Sequence, residues 1–191
     1  PEKWRAAKNA NAVLPDTTQR TQLKEGESKL NFAFKDVNGT SVSINDERFK
    51  NKVVIIQLMG SWCPNCMDES RFLKSFYADY KSKGVEVMAL AYELTLDATR
   101  SKNSLQKFID RFAIEYPVLI APATAGDEQK TEKTLPQLTP IRSFPTTVFI
   151  GKDGTVQKVH SGFYGPGTGV YYEQFKKEFY ETIDRLLKNE R

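Results

Sequence analysis

Histidine is nearly absent from this chain of 191 residues and cysteine is scarce: the chain has one histidine, His160, and two cysteines, Cys63 and Cys66. A structural zinc usually takes four ligands, and this inventory does not supply them. No apolar run approaches the roughly 20 residues of a membrane-crossing helix, and the apolar core of a signal peptide is missing. Charge of one sign is missing too. The 28 Lys and Arg against 24 Asp and Glu are spread along the chain, which argues against a nucleic-acid or membrane-surface partner. The glycine-rich residues 162–169 follow a strand pattern but lack dinucleotide-loop spacing and the lysine of a phosphate loop. Nucleotide binding is therefore not expected, and the stretch reads as a strand-to-helix turn. There is no internal repeat and no low-complexity tract. The 39% of hydrophobic residues suffice for one ordinary core, so no second domain is required.

What the chain does have is Trp62-Cys63-Pro64-Asn65-Cys66, with both cysteines within one helical turn. The preceding residues 53–59, VVIIQLM, form a short β-branched run that reads as a buried strand. After the cysteines, Phe72, Leu73, Phe76, Tyr77 and Tyr80 recur at helical spacing, and Gly84 stands where a left-handed cap would end the helix. Cys63 thus falls at a strand-to-helix junction. Unpaired backbone N–H groups and the positive end of the helix dipole there favour a thiolate. Its pKa is expected between about 6 and 7.5, within the range of such pairs. Cys66, one turn further in, is expected to be more buried and to act as the resolving thiol.

Together with the later Phe144-Pro145-Thr146-Thr147, this arrangement resembles a thioredoxin-like domain. The leading Phe34-Lys35-Asp36-Val37-Asn38-Gly39-Thr40, and Glu69 three residues past Cys66, narrow the likeness to the TlpA/ResA-like, AhpC/TSA-related extracytoplasmic thiol-disulfide oxidoreductases. The likeness runs from about Leu30 to the C-terminus. It implies an α/β fold: a thioredoxin-like αβα sandwich with a central mixed sheet, an N-terminal β-hairpin and an inserted helix. Residues 1–29 then form a polar arm or tether, with Trp4 and the Ala12-Val13-Leu14 patch as its apolar exceptions, and residues 30–191 form the domain.

Along the domain, Leu30, Phe32 and Phe34 alternate with polar residues, as do Val42 and Ile44. Asn38-Gly39 between them supplies a favoured hairpin turn, and the hairpin is expected to extend the sheet at one edge. Residues 85–91 read as a buried strand parallel to residues 53–59 across a right-handed crossover. Leu105, Phe108, Ile109 and Phe112 mark a second amphipathic helix before a strand at residues 118–120. Residues 121–141 form a long polar excursion with a short helix near Glu128 to Leu135. A loop of that length is mobile or functional, and here it is placed to form part of a partner-binding rim. Asp153-Gly154 turns a last hairpin, and Tyr172, Phe175, Phe179, Ile183, Leu186 and Leu187 line a final helix.

Thiol-disulfide exchange is the expected activity, with reduction of protein disulfides as its direction. Cys63 attacks, Cys66 resolves, and Glu69, raised by desolvation, manages the proton. Trp62, Pro64, Asn65, Phe144 and Pro145 form the substrate-facing surface. The resemblance implies that Pro145 is cis and faces the cysteines, leaving the backbone before it to pair with an extended substrate. Two departures from the pattern stand out: Gln57 occupies the place of the thioredoxin Asp beneath the cysteines, and Arg71 the place of a helix-kinking proline. The expected partners are protein thiol or disulfide substrates and an upstream, membrane-embedded electron donor, with the protein a monomer that uses no cofactor and no metal. The resemblance places it in the periplasm or another extracytoplasmic space. The opening at Pro1 is read as a mature or trimmed form, tethered through a segment outside this sequence.

Two competing readings stand beside this one. One is a copper-binding chaperone using Cys63, Cys66 and His160. The other is a peroxiredoxin-like peroxidase, a family with Thr or Ser three positions before its reactive cysteine, where this chain has Gly60.

Overall fold

The computed structural model describes residues 20–188. Trp4 and the Ala12-Val13-Leu14 patch lie outside the described residues. The chain runs through β1 (Ala33–Lys35), β2 (Ser41–Ser43), β3 (Val53–Met59), α1 (Pro64–Tyr80), β4 (Val85–Ala91), α2 (Ala98–Phe112), β5 (Val118–Ile120), α3 (Lys130–Thr134), β6 (Thr146–Ile150), β7 (Val156–Ser161) and α4 (Val170–Lys188). Five of the strands form one mixed sheet in the order β5-β4-β3-β6-β7. β3 is parallel to β4 and antiparallel to β6. Every residue of β3 is buried, as expected of a central strand covered on both faces.

The pleat divides β3 between two cores. Val53, Ile55 and Met59 point into one, with Phe72, Leu73 and Phe76 of α1, Leu105 and Phe108 of α2, and Phe175, Phe179 and Ile183 of α4. Val54, Ile56 and Leu58 point into the other, which is closed by Leu30, Phe32, Val42 and Phe49 and by Leu135, Leu138 and Ile141. The two outer layers are therefore unequal. Three long helices cover one face, while the other is covered by the N-terminal segment and by residues 121–141, in which α3 has five residues.

The 121–141 excursion is firmly docked. Leu135 and Leu138 have no solvent exposure, Thr131 Oγ1 accepts from the Ile141 N–H at 2.8 Å, and Leu138 bridges Leu23. Its expected helix is present, but its apolar residues are spent on the core. Segment 20–29 is held by the same feature: the Thr139 N–H donates to the Gln22 carbonyl at 2.8 Å and the Lys24 N–H to that of Gln137 at 2.9 Å.

The hairpin differs from expectation in two ways. β1 and β2 form their own two-stranded sheet, linked to the main one through a bridge from Asp36 to Leu119. Its turn is also longer than the Asn38-Gly39 dipeptide. A tight two-residue turn of the favoured kind needs positive φ at both positions, and only Gly39 has it, at 85°. Asp36 closes the turn instead, its Oδ1 accepting from the N–H groups of Asn38 at 2.8 Å and Thr40 at 2.9 Å.

Candidate active site

β3 ends at Met59, and the chain turns at once into α1, with Cys63 as its N-cap and Pro64 in its first turn. Proline suits that position because its missing N–H has no helical partner to lose. Cys63 Sγ accepts from the Cys66 N–H at 3.4 Å, filling the role a serine or aspartate oxygen plays in an ordinary cap. Both thiols are free.

Their environments push them apart. Cys63 is drawn from an ordinary 9.0 down to about 7, chiefly because the Cys66 thiol donates to its sulfur. The backbone N–H groups of Cys66 and Asn65 add to that, while burial opposes it. Cys66 has no exposure, and burial pushes its thiol up, reinforced by the hydrogen bond to Cys63 and by negative charge at Cys63 and Glu69. One thiol is thus available as a thiolate near neutral pH and the other is not. The expected pKa and order of burial both appear. The missing kink at Arg71 leaves Cys66 buried: α1 runs without a break, and Arg71 pairs with Asp68 at 2.6 Å while lying over the Phe112 ring.

The Phe144-Pro145 peptide is cis, and the Phe144 carbonyl faces Cys63 Sγ at 3.6 Å. Phe144 stands edge-on to Trp62, ring centres 6.0 Å apart. Trp62, Pro64 and Asn65 are exposed around the sulfurs, and Phe144 is half-buried. The structure therefore brings the sequence-predicted residues together at one end of the sheet.

Glu69 lies beneath the cysteines with no solvent exposure. Its Oε1 accepts from Thr147 Oγ1 at 2.7 Å and its Oε2 from Gln57 Nε2 at 2.8 Å. Burial raises it from 4.5 to about 7; the two hydrogen bonds pull it down and charge on Cys63 adds to the rise. A buried carboxyl poised near neutrality is equipped to take and return a proton. Gln57 does more than replace an aspartate, because its Nε2 also reaches the Cys66 carbonyl at 3.3 Å.

Sequence reasoning missed the clamp on the approach to Cys63. Glu93, just beyond β4, accepts from the Ser61 N–H at 2.8 Å and from Ser61 Oγ at 2.7 Å. Trp62 Nε1 donates to the Tyr92 carbonyl at 3.0 Å. The signal for it was a charged residue two positions beyond the apolar end of β4. Gly60 belongs to the same clamp, since a Cβ there would stand 2.2 Å from Trp62 Nε1. The Thr or Ser of the peroxidase pattern therefore has no room at this position.

His160 stays apart from the sulfurs. It sits on β7 opposite Thr147, packs against Phe175 at 5.4 Å between ring centres, and burial lowers it to about 4. Among the described residues no group of three or more His, Cys, Asp or Glu is placed to hold a metal, so the copper reading loses its third ligand.

A helix-capping dithiol of unequal acidity, facing a cis-proline on a mixed sheet, is the apparatus of a thiol-disulfide oxidoreductase. A family model, Redoxin, matches residues 10–170, and the chain belongs to that family. Among curated relatives, the thiol-disulfide oxidoreductase ResA of Halalkalibacterium halodurans is 30% identical over 166 residues, covering 86% of this chain and 80% of that protein. The ResA of Bacillus thuringiensis subsp. konkukian is 29% identical over 169 residues, covering 88% and 82%. Solved structures share the fold. A thiol-disulfide isomerase of Corynebacterium glutamicum matches 88% of this chain and 97% of its own with a TM-score of 0.61 at 18% identity. A thioredoxin-family thiol:disulfide interchange protein of Chlorobium tepidum matches 86% and 98%, also at 0.61, with 19% identity.

Proposed function

We propose that the protein reduces disulfides in partner proteins, with Cys63 as attacking thiolate, Cys66 as resolving thiol and Glu69 as the proton carrier between them. The observation that carries the assignment is the asymmetry of the pair: Cys63 is held at about 7, while Cys66 is buried and raised beside Glu69. Attack forms a mixed disulfide to Cys63. Cys66 then gives its proton to Glu69 and attacks Cys63 Sγ, and the partner's sulfur leaves as a thiolate. Trp62, Pro64, Asn65 and Phe144 shape the docking surface, and cis Pro145 offers the Phe144 backbone to an extended segment of the partner. Reduction is the favoured direction because Cys63 is only moderately acidic, whereas a strong oxidant stabilises its attacking thiolate far more.

The same reading places the protein in an extracytoplasmic space as a monomer, reduced by a membrane-embedded donor, with residues 1–29 as a tether to the domain at 30–191. Among the described residues no helix is long and apolar enough to cross a membrane. Trapping tests the order of attack. Cys66→Ser leaves Cys63 able to attack and unable to finish, so it accumulates covalent protein adducts on a non-reducing gel. Adducts no more abundant than those of a Cys63→Ser/Cys66→Ser double variant refute it.

A further inference from the structure

Exposure alternates along the segment that joins β4 to α2. Glu93 is buried, Leu94 is 68% exposed, Thr95 is half-buried and Leu96 is 67% exposed. A single leucine at a surface is ordinary. These two do not stand alone. Five large apolar side chains are exposed among the described residues, and Trp62, Leu94 and Leu96 are three of them. The clamp described above brings them together: the Trp62 indole donates to the Tyr92 carbonyl at 3.0 Å, and Glu93 holds Ser61 through both of its oxygens. Leu94 is the next residue along, so the leucines continue the surface that Trp62 begins beside Cys63.

The backbone that carries the leucines is fixed around each of them. Before Leu94, the Glu93 carbonyl accepts from the Ala125 N–H at 3.0 Å. Between them, the Thr95 carbonyl accepts from Ser101 Oγ at 3.0 Å and Thr95 Oγ1 from the Asp97 N–H at 3.1 Å. Beyond Leu96, Asp97 caps α2 by accepting from the Arg100 N–H at 2.8 Å. A partner that covers these side chains therefore has no loop to order first, which removes one of the usual costs of binding. The chemistry of the patch is apolar. The one charged side chain of residues 92–96 is Glu93, and it is buried with both oxygens on Ser61.

We propose that Trp62, Leu94 and Leu96 form an apolar subsite that selects partner proteins carrying an apolar side chain two positions from the cysteine under attack. This rests on the reading of Cys63 as the thiolate that attacks partner proteins. An extended segment laid along the Phe144 backbone presents its side chains alternately, so the residue two positions from its cysteine faces the same way, about 7 Å along the chain. With the cysteine at Cys63, an apolar side chain there is covered by the indole and the two leucines, and burial of that contact favours the complex in which the disulfide is attacked.

Three symmetrical disulfides test the subsite: a short peptide with leucine two positions to either side of its cysteine, the same peptide with serine at those positions, and oxidised glutathione. Two electrons from the Cys63–Cys66 dithiol reduce each probe to two thiols, and the dithiol becomes a disulfide. Wild type should reduce the leucine peptide about tenfold faster than the serine peptide, the equivalent of burying about two methylene groups. Leu94→Ala/Leu96→Ala should lose that preference while its rates with the serine peptide and glutathione hold. Both truncated side chains lie mostly in solvent, so the unfolding midpoint should stay in place. Equal rates for the two peptides in wild type, a preference that survives the double variant, or a loss shared by all three probes overturns the subsite. So does a wild-type dimer in sedimentation that the double variant splits, since the patch then belongs to a second copy, or a Val13→Ser/Leu14→Ser variant faster than wild type toward the leucine peptide, since it then belongs to the chain's own residues 1–19. A Cys63→Ser variant that still reduces the peptides overturns the attacking-thiol reading instead, and the leucine preference of wild type still judges the subsite.

Discussion

Glu69→Gln should change how stability depends on pH, and the structure sets both sign and size. Glu69 is raised from 4.5 in an ordinary carboxyl to about 7 in the fold. Between those values the folded protein keeps a proton that the unfolded chain has released. Unfolding then gives up a proton, so stability falls as pH rises. The contribution is fully present below pH 4.5, is lost through the window, and is gone above about 7. A gap of about 2.5 pH units corresponds to roughly 3 kcal/mol. Glutamine cannot titrate, and its amide oxygen can still accept from Thr147 Oγ1. The stability difference, variant minus wild type, should therefore rise by about 3 kcal/mol between pH 4.5 and 7.5. Taking the difference cancels the groups common to both proteins. Stopping near pH 7.5 avoids most of the Cys63 titration, which runs from about 7 to 9.0 with the opposite sign. Urea unfolding under a non-thiol reductant measures it, and with a slope near 2 kcal/mol per molar the midpoints should separate by about 1.5 M over the window. A difference constant to within about 0.5 kcal/mol would show that Glu69 ionises normally, and the proton-carrier argument would fall with it.

Two further outcomes are expected. Equilibrated against a defined dithiol buffer, the Cys63–Cys66 couple should settle nearer the roughly −270 mV of thioredoxin than the roughly −120 mV of a strong oxidant; a midpoint above about −180 mV overturns the reductant assignment. Gly60→Ala should displace the Trp62 indole and break its bond to the Tyr92 carbonyl, costing about 1–3 kcal/mol. Unchanged tryptophan fluorescence and an unchanged unfolding midpoint would refute the close approach.

Periodicity and spacing carry local information, and most of this architecture is local in that sense. The alternation in β1 and β2, the β-branched run of β3, the helical stripes of α1, α2 and α4, and a cysteine pair at a strand-to-helix junction are all legible in the order of residues alone. So is the asymmetry of the two thiols, because a helix N-terminus and one turn of depth follow from chain order. What stays hidden depends on contacts between distant segments. Glu69 can be read only as a carboxyl in the right neighbourhood; Thr147, 78 residues away, and Gln57 on β3 decide how it holds a proton. The 121–141 excursion looks like a free polar loop because Leu135, Leu138 and Ile141 lie among polar residues and beside Pro136 and Pro140, which bar a continuous helix, and only the bare second face of the sheet explains their burial. What Glu69 does is decided where β3, α1 and β6 pack around one carboxyl, in a space that excludes water and leaves its two oxygens to Gln57 and Thr147.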